Sequence, residues 1–228
     1  MNAFLQIIAP FSFPLILILF WIYFFIYAHH HHISPPFGFS LVVVGVLAAG
    51  FGFNFFNNRQ ETIFSINLLF LLSLFGLVGN INNIREQIAT KTIGELIRFI
   101  GIGLACGFIF GISVLLHDIE PTHPLVSRFT FPALIAYSTQ VSIGEELLFR
   151  GYCLSYLRRS GCNPIAAIII QSLLFSFWHI PKYWGDWISI IIVFLIAFVA
   201  AFLTWKNNNL IPAFLLHITI NLIVVVNN

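Results

Sequence analysis

A chain of 228 residues that is 59% hydrophobic and only 8% charged, with a mean hydropathy of +0.97, cannot cover itself with a water-facing shell. Soluble domains carry about a quarter charged residues. A net charge of +2, with no run of Lys or Arg tracking one helix face, sets nucleic acid aside as a partner. Cys106, Cys153 and Cys162 form no C-x-x-C pair and leave one unmatched in any disulfide scheme, so they read as small apolar packing residues.

About 20 apolar residues are needed to cross the hydrocarbon core as a helix. Runs of that order, separated by polar or Pro/Gly breaks, fall near 10–28, 37–56, 63–80, 96–116, 131–157, 164–180, 187–205 and 210–226. The expected fold class is therefore all-α, a polytopic transmembrane helical bundle of about eight spans, the sixth and eighth short. The first run lacks a basic leader and a small-residue cleavage site, so it reads as a retained span rather than a signal peptide. The histidine run at 29–32 sits between two apolar runs and before Pro35 and Pro36, as a loop would. Between the third and fourth spans, residues 82–95 carry Arg85, Glu86, Lys91 and Glu95 among Ile84, Ile88 and Ile93, which suits either a helix at the membrane interface or a solvated loop. Gly103, Gly107 and Gly111 recur at four-residue spacing in the fourth span, as close helix contact requires. His117, Asp118, Glu120 and His123 read as a polar loop. Trp184, Trp187 and Trp205 stand at span ends, where amphipathic rings favour the headgroup layer. Loops on one side hold Arg85, Lys91, Arg98, Arg158, Arg159 and Lys206, those on the other Arg59, Arg128 and Lys182, and the positive-inside bias then puts both termini outside the cytoplasm.

A charged side chain at a helix centre costs about 2.5–3.5 kcal/mol on insertion scales. The fifth span nonetheless holds Glu145 and Glu146 near its middle and Arg150 a turn later. Glu146 and Arg150, four apart, stack on one helix face as an ion pair; Glu145, about 100° round, is left for another duty. The sixth span ends on Phe175 and His179, and the eighth carries His217 and Asn221, each pair four apart. Taken singly, these are a helix-locking ion pair, a structural histidine and an interhelical hydrogen-bond clasp. Taken together, three apolar spans bring polar groups to similar depths, and in lipid such groups must face inward into one cavity. That inventory can activate water and stabilise an oxyanion.

In order along the chain these segments read E-E-x-x-x-R (Glu145, Glu146, Arg150), F-x-x-x-H (Phe175, His179) and H-x-x-x-N (His217, Asn221), with Gly151 and Tyr152 after the arginine. They resemble the motifs of the CPBP family, the CAAX-prenyl-protease-2 and bacteriocin-processing (Abi) intramembrane glutamic endopeptidases. The resemblance covers about 131–226, which divides the chain into N-terminal spans of unassigned role over 1–130 and a catalytic core over 131–226. It implies an integral multi-pass membrane protein, in the cell (inner) membrane if the source is bacterial, that cuts a membrane-associated protein or peptide: a CAAX-type terminus in a eukaryote, or a bacteriocin or signal precursor in a bacterium. Glu145, with His179, would activate water; His217 and Asn221 would hold the oxyanion; Glu146 and Arg150 would brace the set, with no cofactor.

Other readings of the same residues stay open. Glu145, His179 and His217 could be the ligands of a catalytic zinc, although their spacing is unlike H-E-x-x-H, where one helix supplies two ligands. A non-catalytic immunity or partner-binding protein could use the cavity for recognition. A proton-coupled transporter could use intramembrane Glu and His, but no internal repeat of two related halves is evident.

Overall fold

The computed structural model describes residues 84–116, 131–180, 183 and 186–226. The candidate spans at 10–28, 37–56 and 63–80, the histidine run at 29–32 and the polar loop at 117–123 lie outside these residues.

All regular structure among the described residues is helical. A short helix at 84–88 precedes α1 (Ile93–Leu116). Next comes α2 (Phe131–Glu146), which continues without a break as a π-helix (Leu147–Leu154) and then α3 (Ser155–Arg159). Three helices complete the bundle: α4 (Pro164–His179), α5 (Trp187–Asn207) and α6 (Ile211–Val226). The boundaries follow from local chemistry. Thr92 Oγ1 accepts from the Glu95 amide at 3.1 Å while Glu95 Oε2 accepts from the Lys91 amide at 3.0 Å, a reciprocal cap that starts α1. Asn163 Oδ1 accepts from Ile165 N and Ala166 N ahead of Pro164 in the first turn of α4. Asp186 Oδ1 takes the Ser189 amide at 3.1 Å to open α5, which closes on Asn208 in the left-handed region (φ 47°). Asn209 Oδ1 then takes the Ile211 amide at 2.8 Å to begin α6.

Two sequence expectations change in detail. Residues 84–95 do not form one interfacial helix: the 84–88 turn buries Ile84 and Gln87 against the bundle, and α1 begins only after Lys91 and Thr92. Gln87 Nε2 donates to Ser155 Oγ at 2.6 Å, and its carbonyl takes the Leu210 amide at 2.8 Å. The fifth span, read as a plain α-helix, widens to π immediately after Glu146.

The helices run alternately up and down. At one end gather the 84–88 turn, the start of α1, the end of α3, the start of α4 and the junction of α5 and α6, tied by Arg158 Nη1 donating to Asn208 Oδ1. At the other lie the ends of α1, α4 and α6 and the starts of α2 and α5. The glycine stripe of α1 packs on α6: a Cβ added at Gly103, Gly107 or Gly111 would come within 2.7 Å of Leu215 Cβ, 2.6 Å of Thr219 Cβ or 2.5 Å of Ile223 Cδ1. Only hydrogen at these positions lets the backbones approach so closely.

Outward and inward faces reverse the usual partition. On α4 the row Ile165, Ile169, Leu173 and Phe177 is exposed, while Gln171, Ser172 and Ser176 are buried. On α1, Ile97, Leu104, Phe108, Ile112 and Leu116 face outward, the last 77% exposed. Apolar exposure on this scale marks a face meant for lipid or a partner, not for water. Two helices, Ile93–Leu116 and Trp187–Asn207, are long and apolar enough to cross a membrane; Pro164–His179 and Ile211–Val224 are apolar but shorter.

Candidate active site

The six polar residues singled out in the sequence meet at the centre of the bundle. Glu145 and Glu146 end α2, Arg150 lies in the π-helix, His179 ends α4, and His217 and Asn221 project from one face of α6. Glu146 is fully buried and holds one side of the site together: its Oε1 accepts from Arg150 Nη1 at 2.8 Å and from His217 Nδ1 at 2.8 Å. Arg150, 1% exposed, also donates through Nη2 to the Ala197 carbonyl at 3.3 Å, with its guanidinium 4.4 Å from the centre of the Phe175 ring. A buried guanidinium is tolerable only with such partners: a carboxylate, a carbonyl and an aromatic face.

Both imidazoles are anchored through Nδ1. The Phe175 carbonyl, an acceptor only, lies 2.9 Å from His179 Nδ1, and the Glu146 carboxylate engages His217 Nδ1, so each Nδ1 carries hydrogen and donates. Each Nε2 is then turned toward one atom, Glu145 Oε2, at 3.8 Å from His179 and 3.5 Å from His217. Glu145 Oε2 is buried without a hydrogen bond, while Glu145 Oε1 accepts from the Trp178 indole Nε1 at 3.2 Å. With neutral imidazoles, three acceptor atoms face one another, an arrangement that is unfavourable until a proton donor sits among them. Asn221 Nδ2 donates to Ser142 Oγ at 2.9 Å, and Ser142 Oγ donates to the Ser138 carbonyl at 2.8 Å, which fixes the amide one turn along α6 from His217.

A cavity of about 80 Å³ opens beside this cluster. His179, His217 and Asn221 line it, Val114, Ile192 and Ile196 supply an aliphatic wall, and Glu145 is not among the lining residues. Among the described residues no three His, Cys, Asp or Glu side chains are arranged to hold a metal ion.

Three supporting residues escaped the sequence reading. Trp178 adjoins His179 and steadies Glu145; Ser142, one turn before Glu146, holds Asn221; Tyr183 stacks on His179, with ring centres 6.4 Å apart and planes 11° from parallel. The first two signals were present, a Trp beside a motif histidine and a Ser one turn before a motif glutamate, but their partners lie on other helices.

The described helices thus bring paired glutamates, an arginine, two histidines and an asparagine to one buried point. Residues 127–223 match the family model described as Type II CAAX prenyl endopeptidase Rce1-like, a stretch that contains all six residues and agrees with the family that the motifs resemble. No curated protein and no solved structure gives a significant match.

Proposed function

We propose that this chain is an intramembrane endopeptidase that hydrolyses a peptide bond in a membrane-associated protein or peptide, a CAAX-type terminus or a bacteriocin or signal precursor. Residues 131–226 carry the chemistry, and α1 contributes the Val114 wall. The observation behind this reading is the convergence of Glu145 Oε2 with Nε2 of His179 and His217 at 3.8 and 3.5 Å. A water molecule between Glu145 Oε2 and His179 Nε2 would donate to both, with its oxygen lone pair directed at a carbonyl carbon in the cavity. Glu145 takes the water proton as the C–O bond forms, then returns it to the leaving amine as the C–N bond breaks. Trp178 holds the other carboxylate oxygen, so the base keeps one orientation throughout.

The carbonyl oxygen, negative in the tetrahedral intermediate, accepts from Asn221 Nδ2 and from His217 Nε2. With Nδ1 given to Glu146, donation from Nε2 requires the imidazolium form. Preorganised donors of this kind are each worth about 10²–10³ in rate.

The test is Glu145→Gln, which preserves shape and burial but removes the base. Cleavage of a membrane-bound precursor should fall to background while the folded protein persists in detergent. Full cleavage by this variant refutes the role, and a biological phenotype that survives the substitution favours binding over catalysis. Chelation of the wild-type protein in the same assay separates the zinc version.

A further inference from the structure

Gln87 precedes the stretch that carries the chemistry, yet it is buried, at 3% exposed, and bonded to two of the elements that build the site. Burying an amide costs free energy unless it is hydrogen-bonded. Its Nε2 donates to Ser155 Oγ at 2.6 Å, and that hydroxyl donates in turn to the Arg150 carbonyl at 3.3 Å. The directions are fixed, since a hydroxyl whose one hydrogen is given to a carbonyl can only accept from the amide. A serine within a helix ordinarily bonds the carbonyl four residues back. Ser155 reaches one residue further, in step with the wide turn of the π-helix that it closes.

The backbone of the same segment is tied to α6. The Gln87 carbonyl accepts the Leu210 amide at 2.8 Å, and the Ala89 carbonyl accepts from Asn209 Nδ2 at 3.1 Å. Asn209 Oδ1 in turn caps Ile211 at the start of α6. Ile84 completes the contact on the π-helix side, its Cγ1 3.4 Å from where a Cβ on Gly151 would stand. One short segment therefore grips the foot of the helix that carries Glu145, Glu146 and Arg150 and the foot of the helix that carries His217 and Asn221. The 2.8 Å bond from His217 to Glu146 and the 3.5 Å approach of His217 to Glu145 both span those two helices. His217 stands about two turns beyond Leu210, about 10 Å along the axis, so a splay at the foot is felt at the imidazole.

Resting on the peptidase reading, we infer that Gln87 is a positioning residue for the reaction: bonded to Ser155 on one side and to the start of α6 on the other, it sets the spacing between the paired glutamates and His217. A segment ahead of the catalytic core thus takes part in catalysis without touching substrate. His179 is exempt, because its Nδ1 bond to the Phe175 carbonyl is internal to α4.

The full chain in detergent, assayed with a fluorogenic prenylated CAAX peptide, the substrate class in the family's name, tests this. Gln87→Met keeps the length and bulk of the side chain but cannot donate, and Ser155→Ala removes the hydroxyl between Gln87 and Arg150. Each should lower kcat about tenfold with KM unchanged, less than the roughly 10² of a full 1 Å displacement. The double variant should be no slower than the slower single one, since both changes cut one connection. A second readout needs no turnover. With histidine labelled in nitrogen-15, the ring resonances of His217 should shift in both variants while those of His179 stay, the assignments coming from His217→Gln and His179→Gln. If Gln87→Met does not accumulate, Ser155→Ala carries both readouts. An unchanged kcat in the folded variants, or losses that multiply in the double one, overturns the inference, and so does an unshifted His217 whether or not the peptide is cut. A wild-type chain that leaves the peptide intact while His217 shifts in the variants retains the brace and counts against the peptidase reading.

Discussion

The approach of α1 to α6 allows stability and chemistry to be perturbed at one position. A methyl group at Gly107 would lie 2.6 Å from Thr219 Cβ and 2.9 Å from the Leu216 carbonyl oxygen. Carbon contacts settle near 3.5–4.0 Å, and neither a backbone oxygen nor a β-carbon can swing aside, so α6 must move by about 1 Å. Overpacking of this kind costs about 1–3 kcal/mol. His217 lies between Leu216 and Thr219, and a shift of that size would stretch its 2.8 Å contact with Glu146 to nearly 4 Å, beyond hydrogen-bonding range. Displacing a positioned group by about 1 Å costs about 10² in rate. Gly107→Ala should therefore lower both the thermal midpoint in detergent and the cleavage rate. Gly101, on the same helix, has nothing within 4 Å of an added Cβ, so Gly101→Ala should gain about 0.5–1 kcal/mol from helix preference and keep full activity. If the two variants prove indistinguishable in melting and in rate, the close approach and its link to the imidazole are wrong.

Trp178→Phe keeps an aromatic ring but removes the N–H that binds Glu145; a hydrogen bond to a charged group is worth about 1.5–3 kcal/mol, so kcat should fall about 10–100-fold with KM little changed. An unaltered kcat would remove Trp178 from the site. Gln171 is wholly buried with neither amide atom hydrogen-bonded, so Gln171→Leu should be neutral or stabilise the protein by about 1–2 kcal/mol in a detergent melt. A drop of more than about 1 kcal/mol would mean that the amide has a partner after all.

The described helices were legible because each apolar run ends on a residue with a local reason to end it. Asn163 with Pro164, and Asn209 before Ile211, are capping chemistry that needs no tertiary contact. The convergence of Glu145, Glu146, Arg150, His179, His217 and Asn221 was legible for a different reason: apolar surroundings leave a polar side chain only one direction to face. The π-helix was not, because the 3.6-residue period used to place Arg150 over Glu146 gives no sign of a wider turn, and the pair forms all the same. Thr92 and Glu95 did spell a cap, but reading 82–95 as one amphipathic stretch ran across it. Trp178 and Ser142 could not be placed by spacing, since their partners lie 33 and 79 residues away on other helices.

The reversed faces of α4 bear on when such an enzyme can exist. A rod that hides its glutamine and serines while presenting isoleucine and phenylalanine has no stable home in water, and the chemistry is divided among three stretches of chain that must each find oil before they find one another. On the proposed function, the catalytic centre assembles only once insertion is complete. A copy outside the bilayer then carries all six polar side chains but no assembled centre.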